Sequence, residues 1–191
     1  MSVSTIISFW KERAEIDYVS VFVPLWLAFD AWIEDKYGKP TQRECLEALK
    51  DDTINNKTFN EMKALLNRDD SISNAFKNNL KQLDEALRSA PIYYKIKNDN
   101  KRLTLSFKNG LVDRKTFEYE DLFREKDDPD IIELVSGCFI TDEIEKIYKA
   151  YIEILYQMRC SLFHGDLSMG DTNKRIVKYL YLTLKDLLKN I

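Results

Sequence analysis

Histidine is nearly absent from this chain: His164 is the only one in 191 residues. Cysteine is scarce and scattered, with Cys45, Cys138 and Cys160 far apart and no Cys-x-x-Cys pair. One histidine and three dispersed thiols exclude a zinc site of the usual kind, and no metal or other cofactor is expected. An odd number of unpaired thiols fits a reduced, cytoplasmic setting. Neither sign of charge is in excess. Lys and Arg number 29 against 32 Asp and Glu, a net charge of −3. That excludes a broadly basic nucleic-acid-binding surface, so any RNA contact needs a local basic patch. Long hydrophobic runs are missing too. Residues 19–29 are strongly apolar, but Asp17 and Asp30 bracket them; the run is too short for a bilayer and reads as a buried helix. Lys11, Glu12 and Arg13 interrupt the first apolar run before it could serve as a signal peptide. There is no internal repeat and no low-complexity segment.

What is present is a well-supplied core. Hydrophobic residues make up 45%, with three Trp, ten Tyr and ten Phe, and the length fits one domain over residues 1–191. The charged fraction of 32% is mixed in sign, which argues against a disordered chain. Two apolar-periodic blocks near the ends predict the core bundle, about residues 1–37 and 141–190. A first helix is expected over 5–16, with Ile6, Phe9, Trp10 and Arg13. A second is expected over 18–37, with Phe22, Trp26, Phe29 and Ile33 at helical spacing. Pro24 inside it marks a kink or a break. Near the other end, Ile144, Ile147, Tyr148, Tyr151, Leu155, Met158 and Leu162 share one stripe, opened by Thr141 or Asp142. A closing helix follows over about 172–190.

The middle, about 38–130, reads as a peripheral insertion. Thr41–Glu44 and Thr58–Glu61 have capping-box spacing and predict short helices over 42–50 and 59–67. Ser71 or Ser73 caps a third, stopped by Pro91. Residues 92–97 and 102–107 flank a polar turn, and Leu103, Leu105 and Phe107 alternate as in a half-buried strand. Asn109-Gly110 is another turn signal, and a short helix is expected over 130–136. The fold class expected is all-α, a helical bundle carrying a small β-hairpin.

The residues with chemistry lie at the end of the 141–163 stripe: Arg159-Cys160-Ser161-Leu162-Phe163-His164-Gly165. Arginine is a permanent cation with a planar fork of donors, and histidine trades protons near neutral pH. Together they suit phosphodiester cleavage. On a continuous helix they point about 140° apart. Either Gly165 ends the helix and lets His164 swing toward Arg159, or two chains each supply half of a shared site. The plainer readings are a histidine in a helix cap and an arginine in an ion pair.

This segment, preceded by Ile154-Leu155-Tyr156-Gln157-Met158, resembles the signature of the HEPN (higher eukaryotes and prokaryotes nucleotide-binding) superfamily. That signature is an arginine, four to six residues, then a histidine at the end of a bundle helix. Residues 22–32 resemble the early helix of prokaryotic members, whereas about 38–130 is not covered. The resemblance implies a homodimeric bundle with both motifs in one interface cleft. It also implies metal-independent endoribonuclease activity of the kind found in prokaryotic toxin–antitoxin, abortive-infection and CRISPR-linked antiviral defence. An antitoxin or defence-system partner protein is expected with it. Arg159 would hold the phosphate and His164 would transfer the proton. Asp30 would orient His164 or pair with Arg159, unless it is a surface carboxylate. Cys160 stands where active members often carry a polar Asn, Asp or His, with Ser161 beside it as a polar support. Lys174, Arg175 and Lys178 would add RNA-binding charge, or form a solvated face. A tyrosine two residues after the histidine marks one subfamily's antitoxin control; here Asp166 occupies that position. The rival expectation is a non-catalytic HEPN-like module for dimerisation or for binding a nucleotide or partner.

Overall fold

The computed structural model describes residues 4, 5, 7, 8, 16–90, 92–95, 102–164 and 170–191. The expectations for Ile6, Phe9, Trp10 and Arg13, for the turn at 98–101 and for Gly165 and Asp166 fall outside them. Among the described residues six α-helices run from Tyr18 onward: α1 Tyr18–Tyr37, α2 Gln42–Asp51, α3 Lys57–Asn67, α4 Ser71–Ser89, α5 Ile144–Phe163 and α6 Asp171–Leu187. The described residues between α4 and α5 form seven short strands: β1 Tyr93–Lys95, β2 Arg102–Thr104, β3 Gly110–Asp113, β4 Glu118–Glu120, β5 Phe123–Arg124, β6 Ile131–Val135 and β7 Cys138–Thr141. The chain is mostly helical with a β insertion.

α1 is one uninterrupted helix through Pro24. Asp17 caps it by accepting from the Val19 amide at 3.1 Å. Gly38 closes it in the left-handed conformation, φ 54°, returning its N–H to Glu34. Proline forfeits one helical hydrogen bond, and the burial of Phe22, Trp26, Phe29 and Ile33 along one face offsets that loss. At α2 the expected capping box is complete, Thr41 and Glu44 each accepting from the other's amide. Two other starts differ from expectation. α3 is capped by Asn56, not Thr58, because the Thr58 hydroxyl is turned to Asn56 Oδ1 and Tyr148 inside the core. α4 is capped by Asp70, because Ser73 Oγ donates to carbonyls at the end of α3, Arg68 among them at 2.7 Å.

The middle helices are not peripheral. Cys45, Leu46, Leu49, Met62, Leu65, Leu66, Phe76, Leu80, Leu83 and Leu87 are buried in the same core as α1, α5 and α6. Residues 42–89 are individually less apolar than the terminal blocks, but their hydrophobic positions fall on one face of each helix, and one face is all a core needs. α4 and α1 both pack along α6, while α2 and α3 pack against α5. Buried polar groups join the layers. Asn56 donates to Leu49 O and Tyr148 Oη at 2.8 and 2.9 Å, and the Tyr151 and Thr183 hydroxyls meet at 3.0 Å between α5 and α6.

The β region is larger than one hairpin. β1 and β2 pair antiparallel as expected, Tyr94 opposite Leu103. Leu105 and Phe107 leave the strand; both are buried, Phe107 in a 3₁₀ turn over Phe107–Asn109. Asn109 ends that 3₁₀ turn and Gly110 opens β3, which pairs with β4. A Cβ at Gly110 would stand 3.0 Å from Ala150 Cβ and Leu122 Cδ1, so glycine lets β3 lie directly on α5. The helix expected over 130–136 is strand β6, the edge of a β5-β7-β6 sheet. Its β-branched Ile131, Ile132 and Val135 suit a pleated surface, and Gly137 at φ 74° makes the two-residue turn into β7. β7 then runs through Thr141, so α5 starts after Glu143 without a side-chain cap, and Thr141 Oγ1 accepts from the Glu143 amide.

Candidate functional site at the end of helix α5

α5 is anchored by its stripe: Ile144, Ile147, Tyr148, Tyr151, Leu155 and Met158 are buried, and Leu162 is half-buried. The stripe leaves the last two turns partly open. Arg159 is half-buried, its guanidinium carbon 4.7 Å from the centre of the Phe163 ring. Arg159 Nε is buried without a hydrogen-bond partner. Among the described residues no carboxylate pairs with Arg159, so the expected ion pair is absent there. Phe163 is 48% exposed.

His164 is exposed and forms the C-cap of α5. Its backbone stays right-handed, φ −88° and ψ −1°, and its N–H donates to Cys160 O at 3.0 Å. It has therefore not swung out of the helical direction. Arg159 and His164 leave one continuous helix about 140° apart. A site using both needs either the loop that follows or a second chain.

Asp30 does not join them. Its Oδ1 accepts from Gln42 Nε2 at 2.6 Å, tying α1 to α2. Cys160 and Ser161 are half-buried beside Arg159. The Cys160 thiol lies beside the Tyr156 hydroxyl. Burial first, then the Cys160 thiol, push that hydroxyl above its ordinary range, while Arg43 and Arg159 pull it down. Lys174 and Arg175 are exposed at the start of α6, Lys174 lying 3.8 Å from Asp171. Lys178 is turned to the rings of Tyr18 and Tyr179, at 5.8 and 5.4 Å.

Sequence reasoning missed a second charged cluster on α5. Glu153 is fully buried, and Arg43 Nη2 donates to both its oxygens at 2.9 and 2.7 Å. Gln157 donates at 2.9 Å, and Lys50 and Arg114 each stand 3.6 Å away. Burial acts to raise the Glu153 carboxyl, but the charges of Arg43 and Lys50 and the hydrogen bonds outweigh it and hold it below its ordinary range. Glu47 balances the excess cations, 3.1 Å from Arg43 and 2.9 Å from Lys50. Arg43 also stacks on Tyr156 at 4.7 Å, linking this cluster to the turn before Arg159. The available signal was an acid inside the apolar stretch Ile152–Leu155; its partners at 43, 50 and 114 share no sequence pattern with it.

Among the described residues no group of three His, Cys, Asp or Glu is placed to hold a metal ion. Two grooves of about 580 and 560 Å³ are present, one between α4 and β6 and one beside the end of α6, and neither is lined by Arg159 or His164. No described helix is long and apolar enough to cross a membrane. No protein-family model, curated protein or solved structure matches the chain.

Proposed function

We propose that this chain is a HEPN-type, metal-independent endoribonuclease of a prokaryotic defence or toxin–antitoxin system, acting as a homodimer. The observation that carries the proposal is the open end of α5. There a guanidinium with no acidic partner among the described residues and an exposed imidazole lie within five residues of each other. The RNA 2′-hydroxyl would attack the adjacent phosphate, leaving a 2′,3′-cyclic phosphate and a 5′-hydroxyl. His164 would move the proton and Arg159 would hold the charge that develops on phosphate. The 140° divergence supports a shared site, with Arg159 of one chain meeting His164 of the other.

A second reading is a non-catalytic module of the same type. The observation favouring it is Cys160, half-buried beside Arg159 where a polar residue would strengthen the site. Cleavage of single-stranded RNA in the presence of EDTA separates the two. His164→Ala should lose ~10²–10⁴-fold and Arg159→Ala a comparable amount. Arg159→Lys should restore little, because a point charge does not replace a bidentate fork. Cys160→Asn should keep or raise activity. Cleavage unchanged in His164→Ala would overturn the assignment, and a folded dimer that cuts no RNA would favour the binding module.

A further inference from the structure

β6 is an outer strand of the β5-β7-β6 sheet, and the hydrogen bonds of β7 define its free edge. Thr141 donates its amide to Leu122 O on the β5 side, and Asp142 donates to Asp130 O on the β6 side. Ile131 pairs with Thr141, so it turns its own N–H and C=O away from β7. Glu133, two residues on, does the same. Among the described residues no hydrogen-bond partner meets the main-chain groups of either one. This edge borders the groove of about 580 Å³ between α4 and β6. Residues 132–136 line the groove consecutively. A sheet face would contribute every second residue, so the groove follows the edge. Across from it stand the α3–α4 turn, residues 67–69, and Asn74 and Lys77 of α4.

Lys77 is only 8% exposed, and its ammonium donates to Arg68 O at 2.8 Å, at the carboxyl end of α3. Among the described residues no carboxylate pairs with it. The other charges of the groove are engaged. Arg68 stands 3.4 Å from Asp70, Asp69 accepts from Asn74 at 3.1 Å, and Glu133 accepts from the Gly137 amide at 3.0 Å. A buried ammonium without a counterion is costly, and the carbonyls of a helix end offset only part of that cost.

We infer that this groove binds an extended acidic segment of a partner protein. The segment adds a strand to β6 and gives one carboxylate side chain to Lys77. Ile131 and Glu133 supply its main-chain partners, and the ammonium selects the acid. A walled edge admits a single peptide strand, whereas the sheet of a second copy would meet the α3–α4 turn before it reached β6. The site is separate from Arg159 and His164 and does not depend on their chemistry.

Peptide retention on the full chain tests it. Three pools of random eight-residue peptides are used, with a central position fixed as Glu, Gln or Lys. The Glu pool should be retained roughly ten-fold or more over the Gln pool, as for a charge-assisted hydrogen bond, and the Lys pool should not be retained. With a retained Glu peptide, hydrogen exchange should slow at the amides of Ile131 and Glu133, which are open in the free chain. N-methylation of alternate peptide amides should abolish binding in one phase and spare it in the other, because a strand edge uses every second amide. Lys77→Met keeps the stem without the charge and should erase the preference for Glu over Gln. A loss of stability alone would leave that preference intact. The inference is overturned if no pool is retained, if the Glu and Gln pools are retained equally, or if Lys77→Met keeps the preference. Protection that appears away from β6 overturns it as well. So does concentration-dependent protection of Ile131 and Glu133 without peptide, which would give the edge to a second copy.

Discussion

α5 carries two clusters of charge about 9 Å apart along one helix, and they are built in opposite ways. At Glu153 every charge stands beside an opposite one, although Arg43 Nε and Nη1 and Glu47 Oε1 make no hydrogen bond. The carboxylate is fully buried, Arg43 grips both its oxygens, and Lys50, Arg114 and Gln157 stand around it. At Arg159 and His164 the polar groups are left open: a guanidinium rests on one half-exposed ring, its Nε has no partner, and the imidazole faces solvent. Charge is tolerated in a core only when paired and hydrogen-bonded, so the first cluster belongs to the fold. Charge held half-open at a helix end is free to meet a ligand, so the second is the place to look for function. The comparison can be broken by experiment, because each cluster should respond to a different measurement.

The largest effect should come from Glu153→Ala. It leaves Arg43, Lys50 and Arg114 crowded without their shared counterion, and removing one partner of a buried ion pair typically costs ~3–5 kcal/mol. Arg159→Ala should cost less than about 1 kcal/mol, the range for a cation over an exposed ring. Urea denaturation of both variants measures this directly. Equal losses would mean that the end of α5 is as structural as its middle.

Acid titration of stability sharpens the same contrast. The Glu153 carboxyl is held below its ordinary range in the fold. Its contribution is therefore complete above the ordinary carboxylate range and is lost as pH falls through its lowered value. Asp84 on α4 behaves in the opposite sense. Burial raises it, against the charge of Arg88 and the hydrogen bond from the Phe107 amide. Its contribution is complete at low pH and is lost as pH rises through its raised value. Glu153→Gln should thus flatten the loss of stability on acidification, and Asp84→Asn should steepen it. Thermal melts between pH 3 and 6 distinguish these outcomes, and parallel curves for both variants and the wild type would contradict the assigned shifts.

The parts of this molecule that were legible in the sequence are those governed by local rules. The α5 stripe, the Phe22–Ile33 face of α1 and the Thr41–Glu44 capping box each depend on spacing within one helix, and spacing is what a sequence displays. The β6 strand was misread because a short apolar run between turns looks the same for helix and strand until its partner β7 is known. The caps at Asn56 and Asp70 were misplaced because the neighbouring hydroxyls of Thr58 and Ser73 have distant partners. The depth of α2–α4 in the core was missed because a modest apolar content, gathered on one face, buries as well as a rich one.

The candidate site divides along the same line. The position of Arg159 and His164 at the end of α5 was legible, being a helix-end argument. Their surroundings were not. Asp30 is held by Gln42, while Tyr156, Arg43 and Glu153 form the adjoining network through contacts separated by up to 110 residues. Such partners leave no local pattern, and only an acid inside the apolar stretch Ile152–Leu155 hints that they must exist.

The smallest effect expected is also the most discriminating for Arg159. Phe163→Leu keeps apolar bulk but removes the ring face under the guanidinium. A cation–π contact at an exposed site is worth about 0.5–1 kcal/mol, so stability should fall by no more than that. The ring lies 4.7 Å from the guanidinium carbon, and the Nε beside it is buried; if the ring orients the group, its loss should free that Nε. The Arg159 Nε–H should give a protected NMR signal in the wild type that exchanges faster in Phe163→Leu, and Phe163→Tyr should restore it. In the RNA-cleavage assay the loss of that support should raise KM by about 2- to 5-fold with kcat little changed, the same energy read as binding. If Phe163→Leu instead lowers kcat as far as Arg159→Ala does, the ring touches the RNA itself. If neither the Nε–H exchange nor KM moves, the ring does not hold Arg159, and the guanidinium must take its orientation from elsewhere.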